Sequence, residues 1–259
     1  MERALLILSG GQDSTTCGFW AKQQGCQEIH AVTFNYNQKH SREIESAIKI
    51  AELLGVASHE VIEMGPVLKG TSPLVNSDED LEQYENYGVL PGGLEKTFVP
   101  ARNLLFLTVA ANRAYCLGIS DIITGVCQED FGGYPDCRRV FIDAVEVALD
   151  NGMFTGKDGA PDRATIHTPL MFLTKKESVD LAMTLPGCYA ALAHSHTSYD
   201  GAYPPTGNDH ATLLRAKGFD EALTPDPLVL RANKEGLMTI PDSPAYNQDL
   251  GPFFEKAGL

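Results

Sequence analysis

The 259-residue chain is short of positive charge, has one tryptophan and lacks any paired cysteine motif. Its 20 Lys plus Arg stand against 34 Asp plus Glu, a net charge of −14, and no run of five basic residues occurs. Such a chain repels a polyphosphate backbone, so no direct nucleic-acid partner is expected. A few local cations and backbone amides can still hold a small anion. The six cysteines, Cys17, Cys26, Cys116, Cys127, Cys137 and Cys188, include no Cys-x-x-Cys spacing. That argues against a disulfide framework or a thiol-redox motif. Apolar runs such as Ala4 to Leu8 and Leu104 to Leu107 are far too short to cross a bilayer, so no membrane partner is expected. Met1-Glu2-Arg3 followed by a strand-like run lacks the shape of a secretory signal, and the expected location is cytoplasmic. Repeats and low-complexity tracts are missing as well.

What is present is ordinary globular composition, 43% hydrophobic and 21% charged, in a chain long enough to bury a core without staples. Strand-like and helix-like segments alternate. Strands are expected at Ala4–Leu8, Glu28–Phe34, His59–Glu63, Asp121–Val126 and Ala164–Leu170. Helices are expected from near Asp13 past Trp20, then at Ser41–Leu54, Asn103–Leu117 (strongly apolar and buried), Arg139–Leu149 and Thr174–Leu185. Thr174 and Glu177 are placed as a capping box. Lys69–Thr97 reads as a long lid or substrate loop. The alternation predicts an α/β fold, a doubly wound, mainly parallel sheet of Rossmann-like type. One domain is expected over residues 1–185. Residues 186–259, carrying Pro225, Pro227, Pro241, Pro244 and Pro252, read as an irregular extension.

The sharpest motif is Ser9-Gly10-Gly11-Gln12-Asp13-Ser14-Thr15, between a buried strand and a helix. Two glycines allow close approach of backbone amides to an anion, and the helix N-terminus adds partial positive charge. It is neither a Walker A sequence nor G-x-G-x-x-G. Asp13 suits either magnesium on a nucleotide or a helix cap. Arg102, just before an apolar helix, suits a phosphate or carboxylate clamp. Lys175 at a helix start opposes the helix dipole, which a bound anion would compensate. Gln128–Arg138 follows a parallel strand, where α/β sheets place ligand loops.

Ser9 to Cys17 resembles the pyrophosphate-binding loop of the ATP pyrophosphatase (PP-loop) superfamily, with its adenine nucleotide alpha hydrolase-like fold. More narrowly, the chain is similar to the 7-cyano-7-deazaguanine synthase family of the queuosine pathway. The similarity runs on through Val32–His40, Thr97–Asn103, Thr124–Arg138 and Thr168–Met171. This resemblance implies a ligase using ATP and Mg²⁺. It adenylates 7-carboxy-7-deazaguanine, admits ammonia to give the amide, and dehydrates the amide to the nitrile, releasing AMP and pyrophosphate. It implies Asp13, Arg102 and Lys175 as catalytic residues and Ser9, Gly10, Gly11, Gln12, Asp13, Ser14 and Thr15 as the ATP-binding loop. Tyr36, Gln38, His40, Glu129, Asp130, Phe131, Tyr134 and Asp136 are the expected substrate-binding residues. An aromatic face such as Phe131 would stack on the deazapurine, and Glu129, Asp130 or Asp136 would meet its guanidine-like edge. The partners expected are a small deazapurine and ammonia, with a homodimer as a possible assembly.

One departure stands out. The family's four-cysteine zinc site falls here on Cys188, Thr206, Asp209 and Thr212, and one thiolate with one carboxylate leaves zinc half coordinated. Structural zinc is expected to be absent, with His194, His196, Asp200, Asp209 and His210 as the alternative donors for a replacement ion. The same departure keeps open a variant that stops at the amide or uses another amine, and a non-catalytic binding protein on the same scaffold.

Overall fold

The computed structural model describes residues 1–36, 42–75, 80–89, 94–128, 133–198 and 201–259. Among them five strands form one parallel sheet: β1 (Arg3–Ile7), β2 (Glu28–Asn35), β3 (Ser58–Glu63), β4 (Asp121–Ile123) and β5 (Thr165–His167), in the order β3-β2-β1-β4-β5. Every pairing is parallel, with Leu5 opposite His30 on one side and Ile122 on the other. The expected doubly wound α/β fold is therefore present. β4 and β5 are shorter than the apolar runs suggested, because the chain leaves the ladder after Ile123 and His167 to enter loops.

The period-2 geometry of a strand divides the core. Ala4, Leu6, Ile29 and Ala31 face one side. There they meet α1 (Gln12–Gln23), α2 (Arg42–Leu54), α5 (Lys175–Thr184), α6 (Cys188–Leu192) and α7 (His210–Glu221). Leu5, Val32, Phe34 and Ile122 face the other side, under α3 (Arg102–Cys116) and α4 (Arg139–Gly152). Burying each of the Leu, Ile, Val and Phe side chains among them stabilises the fold by roughly 1.5–3 kcal/mol before entropy is counted. α3 was expected to be a strongly apolar, buried helix, but it buries the Leu107, Ala110, Ala111 and Ala114 stripe and leaves Leu104 outward. A helix lying on one face of a sheet has one side to bury.

Residues 186–259 are more helical than their prolines suggested. They form α6, α7, α8 (Pro227–Lys234) and α9 (Gly251–Lys256). Two of the prolines, Pro227 and Pro252, sit in the first turns of α8 and α9, where a missing N–H costs nothing. Tyr189, Leu192 and Phe219 from this segment share one core cluster with Leu6 and Ile50 of the sheet side. No helix among the described residues is long and apolar enough to cross a membrane.

Because all strands run the same way, the segments after their C-terminal ends gather at one edge. The strand order reverses between β1 and β4, and a crevice opens there. The Ser9–Ser14 loop follows β1 and lies at that point.

Candidate active site

The loop is built by backbone constraints. Gly10 has φ +84°, and a Cβ there would collide with the Glu43 carbonyl oxygen and lie 2.7 Å from the Ala47 nitrogen. Glycine is thus needed twice over, for the left-handed conformation and for close approach to α2. Gly125, after β4, lets α1 pass: a Cβ there would sit 3.0 Å from the Ser14 nitrogen. Inside the loop, Ser14 Oγ lies 3.0 Å from Ser9 Oγ and accepts the Ser9 N–H at 3.2 Å. The Gly11 N–H donates to Ser9 Oγ at 3.3 Å, and the Thr15 hydroxyl donates to the Gly11 carbonyl at 2.7 Å. The His196 N–H donates to the Gly10 carbonyl at 2.9 Å, which ties the C-terminal segment to the loop.

Asp13 and Lys175, 162 residues apart, meet here. Lys175 Nζ donates to both carboxylate oxygens, at 2.8 and 2.7 Å. The anion that the lysine's position at the α5 N-terminus called for is supplied by the chain itself. α5 is started by the expected capping box: Thr174 Oγ1 accepts the Glu177 N–H at 3.2 Å and Glu177 accepts the Thr174 N–H at 2.8 Å.

A cavity of about 280 Å³ opens beside the pair. Ser9, Gly11, Gln12, Asp13, Ser14 and Lys175 line one end. Arg102, half-buried at the start of α3, lines it too, presented by Ala101 in the left-handed region at φ +63°. A non-glycine residue held there carries local strain. Tyr36 and Tyr134 are buried in the wall. Tyr36 packs at 5.4 Å, centroid to centroid, on Phe106, and the Tyr134 hydroxyl meets Thr97 Oγ1 at 2.5 Å. Burial pushes both phenols up, against the pull of Arg102. Asp136 stands behind this wall, where one carboxylate oxygen accepts the Asn103 N–H at 3.3 Å. Burial raises its pKa, while the Asn103 N–H and Arg102 pull it back. Gln38, His40, Glu129, Asp130 and Phe131 lie outside the described residues.

Sequence reasoning passed over several lining residues. Phe106 stacks on Phe34 with centroids 4.4 Å apart and 9° between planes, and it faces the cavity. Glu43, in the first turn of α2, also lines it. Burial lifts the Glu43 carboxyl to about 7, with Arg102 pulling the other way. The Glu-Ile-Glu pattern of α2 read as an ordinary acidic first turn, and nothing local marks Glu43 as inward. The Gln12 side-chain nitrogen is buried with no partner among the described residues.

The positions of the family's zinc cysteines hold other chemistry. Asp209 caps α7 through the Ala211 and Thr212 N–H groups, and its second oxygen accepts from Ser198 Oγ at 3.0 Å and Thr212 Oγ1 at 2.7 Å. Thr206 bonds weakly to the Pro204 carbonyl at 3.5 Å. Cys188 is buried, and its thiol is pushed up to about 12 by desolvation, against a hydrogen bond from Thr16. This donor set does not suit zinc, since its one carboxylate is already spent on four hydrogen-bond donors. The nearby histidines go to separate partners. His194 meets Arg231, His196 the Ser198 carbonyl, and His210 Glu95, at 3.2, 2.8 and 3.3 Å. Among the described residues no group of three or more His, Cys, Asp or Glu converges on a metal position. Magnesium is a different case. Borne on a nucleotide, it needs one or two protein carboxylates and takes its other ligands from phosphate and water, and Asp13 at the loop offers one.

The queuosine biosynthesis protein QueC family model matches residues 3–223. The chain is 52% identical over 230 residues to the 7-cyano-7-deazaguanine synthase of Gloeobacter violaceus, covering 88% of this chain and 96% of that protein. Against the enzyme of the same name from Chromobacterium violaceum, identity is 46% over 236 residues, covering 90% and 96%. Against that of Bacillus subtilis it is 42% over 221 residues, covering 85% and 94%.

Proposed function

The chain belongs to the queuosine biosynthesis protein QueC family, and from that premise we propose that it is a 7-cyano-7-deazaguanine synthase. In this reading it adenylates the carboxylate of 7-carboxy-7-deazaguanine with ATP, and ammonia displaces AMP to form the amide. A second activation then yields the nitrile. The observation that carries the reading is the glycine-bearing loop at the β1–β4 crevice, with Asp13 and Lys175 joined above it and an aromatic-walled cavity alongside.

Residues 1–185 act as the ATP-binding and catalytic part, and residues 186–259 as an extension closing the cavity through His196, Thr197 and His210. Backbone amides at Ser9–Thr15 cradle the phosphates, where the α1 N-terminus favours negative charge. Lys175 turns from Asp13 toward the leaving pyrophosphate, and Arg102 meets the carboxylate or the α-phosphate, where negative charge gathers as the adenylate forms. Asp13 would hold Mg²⁺, whose charge offsets that of the phosphates. Phe106 and Tyr36 give the deazapurine an aromatic wall, joined by Phe131 of the sequence motif. Tyr134, Asp136, Glu129, Asp130, Gln38 and His40 complete the recognition set in this proposal.

Mass spectrometry of products from 7-carboxy-7-deazaguanine, ATP-Mg²⁺ and ammonia tests it. The expected products are 7-cyano-7-deazaguanine, AMP and pyrophosphate. ADP and phosphate as nucleotide products would refute adenylation, and a reaction halting at the amide would confine the activity to the first half.

A further inference from the structure

Glu43 occupies an unusual place for a first-turn helix carboxylate. Such a group normally sits in solvent, where it complements the helix dipole. Here the α2 backbone at Glu43 backs directly onto Gly10 of the loop, and the side chain lines the cavity. Its neighbours there are Arg102 from α3 and Tyr36 from the end of β2. Lys175 and Asp13 line the same cavity from the loop end. No hydrogen bond or ion pair among the described residues occupies the Glu43 carboxyl; Arg102 acts on it only through its field. It is therefore a carboxyl without a hydrogen-bond partner among the described residues, lining the same cavity as the nucleotide loop and Arg102.

Resting on the adenylation proposed above, we infer that Glu43 is a further catalytic residue, the base that takes the proton shed by the attacking amine. The nitrogen lone pair of ammonia forms the C–N bond to the acyl carbon, and the carbonyl π pair moves to oxygen. The adduct carries –NH₃⁺ beside –O⁻ and the AMP ester oxygen. Glu43 carboxylate accepts one proton from that nitrogen. The oxygen pair then re-forms the carbonyl, the bond to AMP breaks, and amide, AMP and protonated Glu43 remain. Water takes the proton from Glu43, and nothing is oxidised or reduced. A base is most effective when it titrates near the working pH, and burial brings Glu43 to about 7.

The experiment compares two rates in the full chain. ATP–pyrophosphate exchange dependent on 7-carboxy-7-deazaguanine, without ammonia, reads adenylation alone. Amide formation with ammonia reads adenylation and aminolysis together. If the native chain shows no exchange, the adenylation reading fails, whatever Glu43 does. If it exchanges, Glu43→Gln is expected to lower the ratio of amide formation to exchange by about 100-fold. Hydroxylamine, a less basic amine whose adduct loses its proton more readily, should restore at least a tenth of the native rate. The acid limb near pH 7 in native amide formation should vanish, and Glu43→Asp should fall between the two. Equal loss of both rates, loss of neither, or a raised KM for the deazapurine with the ratio intact would each overturn the assignment.

Discussion

Among the described residues two ion pairs between a carboxylate and a lysine or arginine are shielded from bulk water, and they are finished differently. Arg215 and Asp226, with side chains 3% and 6% exposed, meet at 2.6 and 2.8 Å. Arg215 also donates to Ser195 Oγ, Thr197 Oγ1 and the Leu192 carbonyl, while Asp226 caps α8 through the Leu228 N–H. Lys175 and Asp13, 8% and 20% exposed, also bond bidentately. Asp13, however, has Lys175 as its one hydrogen-bond partner among the described residues, and both side chains line the open cavity, whereas of the other pair only Arg215 reaches that lining. A buried pair whose groups are all satisfied holds structure. A pair whose carboxylate has a single partner and faces a cavity can exchange that partner for a ligand without leaving a charge stranded.

Three substitutions would break or sharpen this contrast. The largest effect is expected for Arg215→Leu, which strands Asp226 and unties Ser195 and Thr197. Urea unfolding should show a loss of about 3–5 kcal/mol, with substrate-dependent pyrophosphate exchange in the folded fraction within a few-fold of native. A loss under 1 kcal/mol would mean that the saturated network is not what holds α7 to α8. Lys175→Ala should do the reverse. Exchange is expected to fall by 100-fold or more, about 2.7 kcal/mol of transition-state stabilisation, while the unfolding midpoint moves little, because Asp13 is left at a wet cavity edge. If stability falls instead and exchange survives, the two pairs are alike and the contrast is wrong. The smallest effect is expected for Thr174→Ala, which removes the cap that launches α5 and presents Lys175. Stability should drop by about 1 kcal/mol. Any fall in exchange should stay well short of that of Lys175→Ala, because the Asp13–Lys175 contact is left in place.

The C-terminal segment shows why composition misled. Its scattered prolines suggested irregular chain, yet Pro227 and Pro252 sit in the first turns of α8 and α9, and Asp209 and Asp226 cap α7 and α8. Leu228 and Leu230 are buried on α8. Phe253 reaches Tyr189, with ring centroids 6.3 Å apart. Asp209 and Arg215 in this segment are held by hydrogen bonds that satisfy buried polar groups.

The sequence by itself determined the strands, most of the helices, the parallel sheet and the Ser9–Ser14 loop. Each is encoded within a window of a dozen residues, by alternation, by 3.6-residue periodicity or by glycines at a strand end. It also supplied Asp13, Lys175 and Arg102 as candidates, since each lies within a motif. Only the tertiary structure decided that Asp13 and Lys175 bind one another, and that Asp136 accepts the Asn103 N–H at the start of α3. It alone turned Glu43 and Phe106 inward. Those outcomes depend on which helix faces meet across the sheet. A contact between residues 162 positions apart leaves no local trace in the pattern of either segment, because periodicity records which face is apolar and not what that face will touch.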